Sequence, residues 1–244
     1  MPDFIYFDID DTLLDHKRAQ RLALRETFDA AFRENDAFKQ ANISFHAFSE
    51  IYSRINKTLW HRYSLGEIDR VFLQHHRFAD TLEAAGLRPG IDINSEALGK
   101  DYMQRYRLHW SWLPGAKEAL EYLHGRFRLG FITNGFAETQ QKKADDFMLS
   151  HYSDIIIMSE NVGHLKPHPQ IFRHAAEAAG HAGESILYVG DNFASDVEGG
   201  NKAGWKTAWY TGQLETAPSA EQQKQATISF RNFDVLLQYL RSNP

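Results

Sequence analysis

The sequence has no cysteine, so disulfide bonds, thiolate metal centres and thiol nucleophiles are all excluded. The absence fits a reducing compartment. Nor is there an excess of positive charge: 27 Lys and Arg stand against 32 Asp and Glu, a formal charge of −5. That balance gives no electrostatic footprint for a nucleic acid polymer. No apolar stretch approaches the roughly 20 residues that span a bilayer. The first residues run straight into a strand-like segment, without the basic stretch and apolar run of a signal peptide. A cytoplasmic protein with no membrane partner is expected. Repeats and low-complexity tracts are also missing. What is present is 43% hydrophobic residues over 244 positions, enough for a sizeable core in one large domain or two modest ones.

Five short apolar runs read as buried strands, at 4–7, 129–133, 155–158, 186–189 and 207–210, with 227–230 as a last strand-like piece. Between the later runs lie amphipathic segments at 116–123, 139–148, 170–179 and 194–203, and a closing one at 233–240. This alternation predicts a parallel sheet with helices on both faces. Residues 215–226 read as an exposed helix or loop. The stretch between the first two strands breaks the rhythm: helical patterns at 16–34, 44–63, 68–85 and 95–109 fill it. The spacing of Leu22, Leu24, Phe28, Ala31 and Phe32 suits a period of 3.6. A parallel crossover needs only one helix, so residues 16–109 are expected to form an inserted helical domain and residues 1–15 and 110–244 the sheet domain. Phe28, Phe32, Phe45, Phe48, Tyr52, Phe72 and Phe78 are expected in the insert's own core.

Four strand ends carry polar residues. The first run ends in Asp8-Ile9-Asp10-Asp11-Thr12, and the second in Thr133-Asn134-Gly135. Lys166 lies in Leu165-Lys166-Pro167 after the third, and Gly190-Asp191-Asn192 follows the fourth, with Asp196 five residues beyond Asp191. Carboxylates gathered at one sheet edge are costly to bury without a cation. Asp8 and Asp191 offer the hard oxygen ligands that suit Mg²⁺. A carboxylate beside that ion can attack phosphorus. Asp10 stands two residues on, placed to protonate a leaving oxygen and then activate water. The Thr133 hydroxyl and the N–H groups after it can hold phosphoryl oxygens. Lys166 adds a point charge for phosphate and nucleophile. Each piece alone has a plainer reading: a turn or helix cap for Asp10-Asp11-Thr12, a turn for Thr133-Asn134-Gly135, a solvated loop lysine, a first-turn helix carboxylate. Those readings do not explain why all four occur at strand ends of one chain.

Taken in order, Asp8-x-Asp10-x-Thr12, Thr133-Asn134-Gly135, Lys166 and Gly190-Asp191-x₄-Asp196 resemble the four motifs of the haloacid dehalogenase superfamily. The resemblance implies an α/β, Rossmann-like parallel-sheet core with the inserted helices as a cap domain. It implies Asp8 as nucleophile, Asp10 as acid and base, and Mg²⁺ held by Asp8, the Asp10 carbonyl and Asp191. Thr133, Asn134 and Lys166 would bind phosphate, with Asn192 and Asp196 as accessory residues. A narrower likeness, to bacterial pyrimidine 5′-nucleotidases, is carried by Asn56-Lys57-x-Leu59-Trp60, Gly66-Glu67-Ile68, His75-x-Arg77-Phe78 and Ser159-Glu160-x-Val162-Gly163-x₂-Lys166-Pro167. It implies a nucleoside monophosphate as substrate, with Lys57, Trp60 and Arg77 as candidate contacts from the cap. For these three, a packing or solvated role is the commoner fate.

The sequence therefore points to a Mg²⁺-dependent phosphomonoesterase working through an aspartyl-phosphate. The alternatives are a phosphatase or mutase of small sugar phosphates and a 2-haloacid dehalogenase, against which Asp10 and Asp191 argue. A non-catalytic binding module ranks last, because none of Asp8, Asp10, Lys166 and Asp191 is missing. A monomer is expected, with a dimer as the alternative.

Overall fold

In the computed structural model, which describes residues 2–242, six strands form a parallel sheet. They are β1 (Phe4–Phe7), β2 (Arg128–Thr133), β3 (Ile156–Met158), β4 (Ile186–Gly190), β5 (Lys206–Tyr210) and β6 (Ile228–Phe230). Their spatial order is β3-β2-β1-β4-β5-β6. The chain first builds outward from β1 through β2 to β3, then returns to the other side of β1 and builds outward again. The direction of winding thus reverses between β1 and β4. In open parallel sheets, the crevice beyond the carboxyl ends at such a reversal is where ligands bind. Asp8 and Asp191 follow directly on those two strands, and Phe7 pairs in register with Val189.

Both faces of the sheet are covered, which is why its strands are apolar runs and do not alternate with polar residues. Ile5, Phe7, Phe131 and Val189 pack against the helices Ala116–Leu123 and Phe233–Ser242. Phe4, Tyr6, Ile132 and Tyr188 point the other way, onto Ile171, Phe172 and Ala175 of the helix Pro169–Ala179 and onto Trp205. Helix ends follow local chemistry. Pro169 stands in the first turn of its helix, where its missing N–H costs nothing. Ser219 and Gln222 form a reciprocal capping box on Ala220–Gln225, which settles the polar 215–226 stretch as part helix. After β4 the chain forms a π-helical turn, Phe193–Glu198, before the α-helix Gly199–Lys202, where the sequence pattern reads as one helix.

The chain divides into two compact units, one made of the chain up to Asp15 and from Ser111 onward, the other His16–Trp110. In the first unit the outgoing and returning segments lie side by side: Leu113 N donates to Leu13 O at 2.8 Å and Asp15 N to Ser111 O at 2.9 Å. The second unit consists of the helices His16–Glu34, Asp36–Gln40, Phe45–Ser64, Arg70–Ala84 and Ser95–Leu108. Asn35, Ser44, Asp69 and Asn94 each cap the helix that follows through a side-chain oxygen. Phe28, Phe38, Phe48, Tyr52, Phe78 and Tyr102 form its core. Phe32 and Phe72, expected in that core, are exposed. The buried stripe of the first helix runs through Leu24, Thr27, Phe28 and Ala31, and that of Arg70–Ala84 through Leu73, Arg77, Phe78 and Thr81. Each phenylalanine sits one position off its stripe. Among the described residues, no helix is long and apolar enough to cross a membrane.

Candidate active site

β1 delivers Asp8 to the carboxyl edge of the sheet, where Asp8 N donates to Val189 O at 2.8 Å. The chain then turns sharply. Asp11 takes a positive φ of 60°, a conformation that Asp tolerates better than most residues. Leu14 N returns to Ile9 O at 2.9 Å and Asp11 N to Leu14 O at 2.7 Å. The turn keeps Thr12 beside Asp8, and its hydroxyl donates to Asp8 Oδ2 at 3.2 Å.

Lys166 lies buried at the centre of the cluster. Its Nζ is 2.6 Å from Asp8 Oδ1, 3.0 Å from Asp196 Oδ1, 2.6 Å from the Tyr188 hydroxyl and 3.1 Å from Ile132 O. Burial works to lower the lysine's proton affinity, but Asp196 and Asp8 outweigh it and hold the ammonium above its ordinary range. Burial likewise pushes the Asp8 carboxyl up to about 7, against the pull of Lys166, with Asp196 and Asp10 adding to the rise. Asn134 fixes the lysine from behind: its Nδ2 donates to Lys166 O at 2.9 Å and its Oδ1 accepts from Lys166 N at 2.8 Å. The side chain expected at a phosphate is thus used here to position the lysine.

Beyond β4, Asp196 is buried and accepts from Asn192 N at 2.9 Å and Ser195 Oγ at 3.0 Å. Asn192 caps the following turn through Ser195 N at 3.0 Å. Gly190 makes the approach possible, because a Cβ there would collide with the Asp196 carboxyl group. Trp209 Nε1 donates to Asp191 O at 2.8 Å and holds that backbone at the sheet edge. One oxygen from each of Asp8, Asp191 and Asp196 lies within 4.8 Å of the others.

Two residues that sequence reasoning passed over join the site from the helix Ala137–Asp146. Lys143 Nζ stands 2.5 and 2.7 Å from the two oxygens of Asp10, and Gln140 Nε2 donates to Asp10 Oδ2 at 2.9 Å. Both side chains are buried. Their spacing of three puts them on one helix face, the only signal in the sequence that could have marked them. Tyr188 is the third omission; burial, with Asp196 and Asp8 nearby, keeps its hydroxyl protonated well above the usual tyrosine range.

The structure thus brings Asp8, Asp10, Lys166, Asp191 and Asp196 to one sheet edge. Four carboxylates and two ammonium groups give the cluster a formal charge of −2. Such a set of hard oxygen donors fits Mg²⁺, with Asp8, Asp191 and Asp196 the side chains able to hold it. Thr133 Oγ1 is buried without a hydrogen-bond partner, the condition of a donor waiting for an oxyanion. In the helical unit, Lys57 is exposed, Trp60 half-buried against Tyr63, and Arg77 buried beside Tyr102 and Met103.

Comparison with known proteins gives a consistent result. Residues 2–204 match the family model of the haloacid dehalogenase-like hydrolases. The chain is 32% identical to the pyrimidine 5′-nucleotidase YjjG of Escherichia coli, over 96% of this chain and 97% of that one. It is 28% identical to the pyrimidine 5′-nucleotidase PynA of Streptococcus pneumoniae, over 98% and 95% of the two chains. Among solved structures, the magnesium-bound HAD-hydrolase YfnB of Bacillus subtilis superposes with a TM-score of 0.79 at 27% identity, covering 98% of this chain and 99% of that one.

Proposed function

This chain belongs to the haloacid dehalogenase-like hydrolases, and on that footing we propose that it is a Mg²⁺-dependent phosphomonoesterase acting on nucleoside 5′-monophosphates, pyrimidine nucleotides foremost. The observation that carries the chemistry is the Asp8 carboxylate, held at one oxygen by Lys166 and at the other by Thr12. The nucleotide preference rests on likeness to the two pyrimidine nucleotidases along nearly the whole chain. Magnesium is supported by the acidic cluster and by the magnesium-bound relative.

In the first step, Asp8 forms a bond to phosphorus as the phosphorus–ribose oxygen bond breaks, and Asp10, entering as the carboxylic acid that the second step regenerates, gives the leaving oxygen its proton. In the second, Asp10 takes a proton from water as that water attacks phosphorus, releasing inorganic phosphate and the free Asp8 carboxylate. Lys166 orients the nucleophile and offsets its charge as the dianionic phosphate approaches. Thr133 offers its unpartnered hydroxyl to a phosphoryl oxygen. Asp8, Asp191 and the Asp10 carbonyl, with Asp196 in support, would hold Mg²⁺, which when bound would supply the charge that offsets repulsion between carboxylate and phosphate. Lys143 and Gln140 are positioning residues that fix the orientation of Asp10.

The substrate assignment is tested by kcat/KM on a panel of UMP, dUMP, dTMP, purine nucleotides and sugar phosphates. A pyrimidine nucleotide is expected to lead. A flat profile, or one led by a sugar phosphate, rejects the nucleotidase reading. Exhaustive dialysis against chelator is expected to silence the enzyme and added Mg²⁺ to restore it; full turnover after chelation would remove Asp191 from its role. Lys143→Met separates positioning from general structure. It is expected to slow release of the leaving group in the first turnover by about 100-fold for an alkyl phosphate, and by far less for p-nitrophenyl phosphate, whose leaving group needs no proton. Equal losses in that first-turnover release, which precedes the water attack common to both substrates, would mean that Lys143 does not act through Asp10 as the acid.

A further inference from the structure

Between the helices Arg70–Ala84 and Ser95–Leu108 of the helical unit runs a groove of about 490 Å³. Arg77 lines it and is itself only 8% exposed. Among the described residues no acid stands beside its guanidinium. Nη2 lies 3.7 Å from Met103 Sδ, a weak acceptor, and Nε is buried with no hydrogen-bond partner. The faces of Tyr102 and Phe78 stand 5.3 and 5.8 Å from the guanidinium carbon. Aromatic faces offset part of the cost of burying this cation, but they accept none of its five N–H donors in the plane. A buried charge is ordinarily paired with an opposite one, and among the described residues no carboxylate pairs with Arg77.

The mouth of the groove continues the same sign. Lys100 and Arg107, seven residues apart on one helix face, line it. Among the described residues neither has a carboxylate partner. The one acid on the lining, Glu96, faces His75 at 3.5 Å. A buried planar guanidinium on the lining and two exposed cations beside it match a doubly charged oxyanion better than a single carboxylate. From this geometry we infer that the groove is a second binding site, distinct in residues from the Asp8 cluster, that takes the phosphoryl group of free phosphate or of a phosphorylated metabolite on Arg77, Lys100 and Arg107. The likeness to nucleotidases also names Arg77 as a candidate substrate contact, but the inference stands on the groove's own geometry and not on that reading, and no residue of the groove enters the proposed chemistry.

The Nε–H signal of Arg77 in ¹⁵N-labelled full-length protein, identified by its loss in Arg77→Lys, reports the site directly. Titration with inorganic phosphate is expected to move it saturably, and chloride at equal ionic strength is expected not to. In Lys100→Ala/Arg107→Ala, where Arg77 and its packing remain, half-saturation is expected to need about fivefold more phosphate. A non-hydrolysable nucleoside 5′-phosphonate forms the second arm. Tighter response to the phosphonate identifies a phosphorylated metabolite as occupant, and tighter response to phosphate the free ion; either keeps the site. A signal that stays flat with both, follows chloride equally, or saturates unchanged in the double variant overturns it and leaves Arg77 as a packing residue. Activity measurements play no part, so failure here leaves the phosphatase reading standing, and the reverse holds equally.

Discussion

Asp8→Asn is expected to lower kcat for phosphomonoester hydrolysis by about 10⁴-fold or more while leaving the fold intact. The substitution removes the nucleophile and keeps its shape. Asn can still accept from Lys166 at Oδ1, now 2.6 Å from the carboxylate, but it cannot form a phosphoryl ester that water then cleaves. Stability should move the other way. Burial, with Asp196 and Asp10 beside it, raises the Asp8 carboxyl from about 4 to about 7. A carboxyl raised on folding binds more protons in the folded state, so its contribution to stability falls as pH climbs from about 4 through about 7. Asn carries no charge and escapes that penalty. With chelator present and pH above about 7, the variant is therefore expected to melt no lower than the parent. The check is phosphate release alongside thermal unfolding. Turnover near the parent rate would remove Asp8 as nucleophile. A collapse in melting temperature together with lost activity would assign Asp8 to the scaffold.

How much of this was legible in the sequence depended on whether a residue's identity fixed its environment. The apolar runs before Asp8, Thr133 and Asp191 read as buried strands, so the polar residues at their ends were expected to converge at one sheet edge. The sheet order, which places β1 beside β4 and creates the reversal, is a tertiary outcome that no local pattern encodes. Gln140-Gln141-Lys142-Lys143 shows the limit most clearly. All four fall in the amphipathic segment 139–148 and none is singled out by the sequence pattern, yet Gln141 and Lys142 are exposed whereas Gln140 and Lys143 are buried against Asp10. A long polar side chain is silent about which way it points until its partner is placed. Tyr188 hid differently: its ring fits a buried strand, and only the fold shows that its hydroxyl meets Lys166. Phe32 and Phe72 erred in the opposite direction, because hydrophobicity alone does not separate the centre of a helix stripe from its edge. Arg77 was visible as a charged residue in the insert, but its burial without an acid partner was not.

Lys166→Met should carry the largest stability penalty of any single change at the site. The lysine sits between Asp8 and Asp196, with Nζ within 3.0 Å of an oxygen of each. Both carboxylates are buried, and Met fills the volume without supplying a charge. Removing one partner from a buried ionic cluster costs about 3–5 kcal/mol, chiefly because the remaining charges are stranded. At roughly 2–4 °C per kcal/mol for a domain of this size, the melting temperature should fall by about 10 °C. Tyr188 and Ile132 O would also lose the donor they now share. The same reasoning predicts a partial rescue. A divalent cation bound by Asp8, Asp191 and Asp196 supplies positive charge where the ammonium was, so Mg²⁺ should raise the melting temperature of Lys166→Met more than that of the parent. Turnover should not return with stability, because the ion cannot donate a hydrogen bond to the attacking carboxylate. Thermal unfolding of both proteins, with chelator and with Mg²⁺, separates the two effects. A variant that melts with the parent in chelator would mean that the acidic cluster is not held together by Lys166. An equal Mg²⁺ shift in both proteins would place the ion away from Asp8 and Asp196.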